Sequence, residues 1–317
     1  MSSSSSAPRF VDIGANLLDE RFTEGSYRGK QRHEPDLDDV IQRASDGGMR
    51  HMVLTAGTLR ESAEAVEKVR ELRRTNATDC QLYCTVGVHP TRCLEFDEND
   101  HGAQEHLEQL IRLAQDGQKD GVVVAVGEMG LDYDRLQFCP KEVQLKYFPQ
   151  QLRLSEETGL PLFLHNRNVG TDLYDLLVAH RDRWEASGGV VHSFDDTAEL
   201  AAKFIELGLY IGLNGCSLRT EENLAVVRDL PTDRILLETD CPYCDVKRTH
   251  AGYHHVQTYF ESKPEKKYEA GKQVKGRNEP CNIVQVAEVV AGVKGIPVQE
   301  LIDSCYANSL RLYKWNE

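Results

Sequence analysis

No run of this chain approaches the ~20 consecutive apolar residues that a membrane-crossing helix needs. No glycine fingerprint of the GxGxxG or GxxxxGK type is present, which argues against a nucleotide cofactor bound in the Rossmann or P-loop manner. The opening MSSSSSAP lacks the charged and apolar plan of a secretion signal, so residues 1–8 are expected to form a disordered tail. Nine cysteines, an odd number in a chain without such a signal, argue for free thiols in a reducing compartment, the nucleus or the cytoplasm, rather than a disulfide framework. Positive charge is also scarce: the net charge of −14 excludes whole-surface attraction to nucleic acid. A local basic patch or bound divalent ions can still reverse the sign where it matters.

What is present is the composition of an ordinary globular protein, 40% hydrophobic and 28% charged. Its 317 residues suit one large α/β domain. The stretch 122–134, VVVAVGEMGLDYD, begins with five apolar residues without alternation, as in a strand buried on both faces. Seven more short apolar runs occur, at 9–17, 51–57, 82–90, 160–165, 189–194, 209–215 and 235–242, and each is followed by a helical pattern. Leu107, Leu110, Ile111 and Ala114 are the clearest amphipathic case, and Pro149 is expected to bend the helix over 142–157. Eight βα units must pair in parallel with right-handed crossovers. A closed (β/α)8 TIM-like barrel spanning 9–317 is therefore the first expectation, and an open doubly wound sheet the second. The rhythm breaks at 245–277, a basic insertion with eight lysines and arginines against four acidic residues, interleaved with histidines and tyrosines.

Four of the apolar runs end in a residue with chemistry: Glu128, His165, His192 and Asp240. In a barrel those ends converge on one face, where such enzymes place their active sites. Two imidazoles and two carboxylates suit Zn²⁺, Mn²⁺ or Mg²⁺ and lack the thiolates of a structural zinc site. Two carboxylates leave room for a pair of ions about 3.5–4 Å apart, and water on such an ion has a pKa lowered from near 16 to about 7. Glu128 and Asp240 are both candidates for the base that takes the proton of the attacking water. His89, before Pro90 on the third run, can meet a phosphate or serve as a structural turn residue. Arg167 and Asn168 stand close behind His165, and Arg277 and Asn278 precede Pro280 at a helix start that favours anions. Cys241-Pro-Tyr-Cys244 has CxxC spacing, but it follows a strand end and reads as ordinary thiols at the barrel mouth, sensitive to oxidation or heavy metals.

The runs DIGANL at 12–17, GVHP at 87–90, GEMGLDY at 127–133, PLFLHNR at 161–167, VVHSF at 190–194, LLETDCPY at 236–243 and RNEP at 277–280 resemble the TatD-type metal-dependent deoxyribonucleases of the amidohydrolase-like barrels, in their eukaryotic branch. The resemblance covers nearly the whole chain. It implies a TIM-like barrel that hydrolyses DNA phosphodiesters through metal-bound hydroxide, typically as a 3′→5′ exonuclease. It implies Glu128, His165, His192 and Asp240 as metal ligands, with Glu128 shared between two ions. It also supports phosphate contacts for Arg167, Asn168, Arg277 and Asn278. Many relatives carry His-x-His after the first strand; here those positions are Gly14 and Asn16, which leaves Asn16 as a neutral substrate or ligand contact and a second ion that binds weakly. The partner is then DNA, with no membrane, and a monomer fits this plan. Two rivals remain: an amidohydrolase acting on a C–N bond, and a non-catalytic nucleic-acid-binding relative.

Overall fold

The computed structural model describes residues 7–75 and 78–316. Positions 1–6 of the expected tail lie outside the described residues.

Eight parallel strands form in chain order: β1 (Phe10–Ala15), β2 (Met49–Leu54), β3 (Gln81–Val86), β4 (Val123–Asp132), β5 (Leu162–Arg167), β6 (Gly189–His192), β7 (Tyr210–Leu213) and β8 (Ile235–Leu237). Each pairs with the next in sequence. All eight coincide with the apolar runs. The ends of the sheet meet at a bridge between Ala15 and Cys241, with Asn16 N–H donating to Cys241 O at 2.8 Å and Asp240 N–H to Gly14 O at 2.8 Å. That seam closes the barrel and excludes the open sheet. Asp12 secures it: its carboxylate accepts from the Thr239 N–H at 3.0 Å, the Thr239 hydroxyl at 2.5 Å and Gly14 N–H at 3.2 Å.

Period-two alternation divides the apolar residues between two cores. Val11, Ile13, Val53, Val124, Phe163, Val190 and Leu236 fill the barrel and are plugged at the amino-terminal end by Tyr306 and Leu312. The other set packs outward against helices such as Leu59–Thr75, Gly102–Lys119 and Ile283–Lys294, whose buried residues recur at helical spacing. The helix expected over 142–157 is two helices, Lys141–Gln151, which contains Pro149, and Arg153–Thr158, with the break at Leu152 rather than at the proline. Among the described residues no single helix is long and apolar enough to cross a membrane.

Two irregularities aim side chains into the mouth. In β4 the register shifts between Val126 and Met129. Gly127 and Gly130, with φ of 141° and 146°, pass so close to β5 that a Cβ would meet Phe163 O at 2.2 Å or His165 O at 2.0 Å. The shift frees Glu128 from the ladder, and its N–H instead reaches Ala56 O beyond β2, at 3.0 Å. In β1 a shift between Asp12 and Ala15 turns Gly14 inward, where a Cβ would lie 2.9 Å from Glu238 Oε2 and 3.2 Å from Phe163. The space beside Gly14 is thus taken by the Glu238 carboxylate. Gly14→Ala is expected to destabilise the fold by about 1–3 kcal/mol through overpacking, seen as a lowered urea midpoint; an unchanged midpoint would mean Glu238 moves aside freely.

The insertion 245–277 is not a free basic surface. Lys263 and Lys272 pair with Glu261 and Glu269 of the same segment, Glu265 pairs with Arg32, and Tyr268 stacks on His33 at 4.4 Å. Lys266 and Lys267 are exposed.

Candidate active site

His165 and His192 share the inward parity of Phe163 and Val190, so alternation carries them from the filled barrel to its open end, whereas Glu128 reaches the same end through the β4 register shift. There they meet around one oxygen. Glu128 Oε1 lies 2.7 Å from His192 Nε2, 2.8 Å from His165 Nδ1 and 3.3 Å from His89 Nε2. The ligand atoms of His89, Glu128 and His165 all lie within 4.8 Å of one another, close enough to grip one ion. Burial works to raise the Glu128 carboxyl, but the His192 and His89 imidazoles outweigh it and hold it well below the usual carboxylate range. Burial likewise opposes charge on His192, yet Glu128 and Glu238 raise its pKa well above the ordinary value.

Each imidazole is oriented from behind. His165 Nε2 bonds Asp132 Oδ2 at 3.1 Å. His89 Nδ1 caps the turn Pro90–Arg92, accepting from Thr91 N–H at 3.1 Å, which leaves Nε2 facing Glu128. One ring nitrogen thus serves the turn, while the other stands with the His165 and His192 imidazoles around Glu128. His192 Nδ1 faces Glu238 Oε2 at 3.5 Å, and among the described residues neither buried atom has a closer polar partner. Such orienting partners fix the tautomer and basicity of a ligand. Glu238 escaped the sequence reading, which took only the last residue of each run. Period two contained the signal, because Leu236 points into the barrel and Glu238 is two residues on.

These groups line a cleft of about 260 Å³ together with Asn16, Thr55, Arg92, Arg167, Asp240 and Tyr243. Asp240, held at φ 50°, accepts from Asn16 Nδ2 at 2.9 Å and from the Cys244 thiol at 3.1 Å. Asn16 Oδ1 in turn accepts from Thr55 at 2.6 Å. Asp240 therefore sits in the cleft beside Glu128's cluster, with its own partners. Arg167 lines this cleft and a neighbouring one, where Asn168 is exposed and bonds Asp134 at 2.9 Å. Arg92 and the exposed Tyr243 form the rim; neither stood out in the sequence.

The structure corrects two expectations. Arg277 is no phosphate contact: its guanidinium is buried, paired with Asp36 at 2.6 Å and Glu279 at 2.9 Å, and donates to Arg21 O. Asn278 is buried too. Its amide donates to Thr239 O at 2.9 Å and its N–H to Pro242 O at 3.1 Å, so it clamps the loop carrying Asp240.

A closed parallel barrel with imidazoles and carboxylates converging at the carboxyl ends of its strands is the plan of metal-dependent hydrolases. The model of the TatD related DNase family matches residues 11–314, and the chain belongs to that family. The deoxyribonuclease Tat-D of Schizosaccharomyces pombe is 42% identical, over 96% of this chain and 95% of its own length. A 3′-5′ ssDNA/RNA exonuclease TatD of Erwinia billingiae is 32% identical, over 96% and 98%. The crystal structure of a TatD family hydrolase from Entamoeba histolytica superposes with a TM-score of 0.89 at 38% identity, covering 98% of this chain and 99% of its own. The chain is thus a hydrolase acting on ester bonds.

Proposed function

We propose that the protein is a divalent-metal-dependent deoxyribonuclease that removes nucleotides from the 3′ end of DNA. The observation that carries this reading is the convergence of three imidazole nitrogens on Glu128 Oε1 inside the cleft. That donor set of imidazole nitrogen and carboxylate oxygen suits Zn²⁺, Mn²⁺ or Mg²⁺. His89, Glu128, His165 and His192 would hold the ion, with Asp240 at hand in the same cleft. When bound, such an ion polarises a phosphoryl oxygen and lowers the pKa of a water molecule, so no serine or cysteine nucleophile is required.

The remaining groups have work of their own. Asp240, with Asn16 and Cys244 fixing its oxygens, is placed to accept a proton from the attacking water. Arg167 and Arg92 supply positive charge for the phosphate in a chain that is otherwise acidic. Tyr243 offers a base a stacking face at the rim, a mode that suits single strands of any sequence. The 3′→5′ polarity is supported by the name of the Erwinia relative.

The test is degradation of a single-stranded oligonucleotide labelled at its 5′ end, with Mn²⁺, Mg²⁺ or Zn²⁺ supplied in turn. A ladder shortening from the 3′ end, abolished by chelator, is expected; cleavage that begins internally would refute the polarity, and no cleavage with any ion would refute the activity. Asp132→Asn removes the acceptor that orients His165. It is expected to weaken Mn²⁺ binding roughly 10–100-fold, measured by titration calorimetry. Wild-type affinity in that variant would remove Asp132 from its orienting role.

A further inference from the structure

The CxxC spacing of Cys241 and Cys244 misidentifies Cys244's partner. All nine cysteines are free, and Cys241 is fully buried. The sulfur that meets Cys244 belongs to Cys216, 28 residues upstream, at an Sγ–Sγ separation of 2.8 Å. Two further contacts make this pair unlike the other thiols. Arg219 directs a guanidinium N–H to Cys216 Sγ at 2.7 Å, and Cys244 donates to Asp240 Oδ2 at 3.1 Å. The pair therefore lies between a cation and a carboxylate of the active-site cleft.

The backbones are already in place for a bond. Gly215 lies so close to the Cys244 segment that a Cβ there would be 2.1 Å from Cys244 O. The turn Gly215–Leu218 is pinned by Asn214, whose side chain accepts from Cys216 N–H at 2.8 Å and donates to Glu238 Oε1 at 3.1 Å. Cys244 is partly exposed, with φ of 51°, on the loop after Asp240. Cys216, beside the Arg219 guanidinium, has the surroundings that favour a thiolate, and Cys244 is the sulfur open to solvent and an oxidant.

We infer that Cys216 and Cys244 form a reversible disulfide that regulates the active site through Asp240. The oxidant is a peroxide. It converts one thiol to a sulfenic acid and releases a water. The second sulfur then bonds to the first and displaces its hydroxyl, which leaves with the second thiol's proton as another water. The two thiols lose two electrons and two protons in all, and a dithiol reductant returns them. Oxidation takes from Asp240 the S–H that it accepts at 3.1 Å and draws the Cys244 sulfur toward Cys216. A changed neighbour of a functional carboxylate commonly alters activity by about tenfold or more. The regulatory half rests on the nuclease reading; the bond itself does not.

The full chain, reduced and freed of metal, is treated with hydrogen peroxide, alkylated and digested without reductant. A peptide joining Cys216 to Cys244 with the loss of two hydrogens is expected. Nuclease activity measured with Mn²⁺ should fall about tenfold and return with dithiothreitol, while Cys216→Ser should be indifferent to the treatment. Absence of the joined peptide, or its replacement by sulfinic acid at either position, overturns the bond. A joined peptide with undiminished activity, or equal loss in Cys216→Ser, overturns the regulation. A protein without nuclease activity under any condition would fail the nuclease reading, and the mass measurement would still decide the bond.

Discussion

Glu128→Gln is expected to lower the rate of DNA hydrolysis on the order of 10³-fold, the scale of removing a central charged group from an acid–base or metal site. The side chain keeps its size, so the cleft keeps its shape. What disappears is the negative charge on which His89, His165 and His192 converge. An amide oxygen cannot offset imidazole nitrogens around a cation, and the amide nitrogen repels both imidazolium and metal. Rates should be measured on a labelled oligonucleotide with Mn²⁺, alongside the metal content of the same preparation by elemental analysis. Both should fall together, with the far-ultraviolet circular dichroism of the wild type retained. A variant that cleaves at the wild-type rate would show that hydrolysis occurs elsewhere, or in a contaminant, and the proposed site would be lost with it.

Arg277→Ala should have the largest effect on stability, about 3–5 kcal/mol. Its side chain is fully buried, as is that of Glu279, and that of Asp36 is 1% exposed. Among the described residues, removing the guanidinium leaves those two carboxylates with Arg43 as their remaining ion-pair partner, at 2.9 Å from Glu279 and 3.8 Å from Asp36. It also removes the cation lying over the Phe22 ring at 4.7 Å. The loss is read as a reduced urea midpoint. The same variant separates two roles. A phosphate contact would lower the slope of log affinity against log salt by about one, whereas a buried brace leaves the slope of the remaining folded protein unchanged. A wild-type midpoint with a reduced slope would restore Arg277 to the substrate.

These two positions differ in how much of their role was written locally. Glu128 stands directly after an apolar run, and a carboxylate there points to the barrel mouth once the strands are counted. Arg277 precedes a proline at a helix start, a context that suits an anion equally from solvent or from the protein. The anions that it meets, Asp36 and Glu279, include one 241 residues away, and no local pattern selects it. Cys244 repeats the lesson: its spacing to Cys241 is conspicuous, but the fold brings Cys216 to it.

By itself the chain's pattern of apolar runs and helices determined the eight-stranded barrel, since uninterrupted buried strands joined by amphipathic helices can close in few other ways. It also determined that Glu128, His165, His192 and Asp240 stand at the ends of apolar runs, because the length of such a run is a local property. Only the tertiary structure decided how they are used. The β4 register shift carries Glu128 into the cluster, Glu238 fills the space left open at Gly14, His89 turns one nitrogen to each task, and Arg277 is enclosed. Each of these depends on which distant side chain arrives within about 3 Å, the range over which hydrogen bonds and ion pairs act, and on how much water is excluded there, which no stretch of sequence specifies alone.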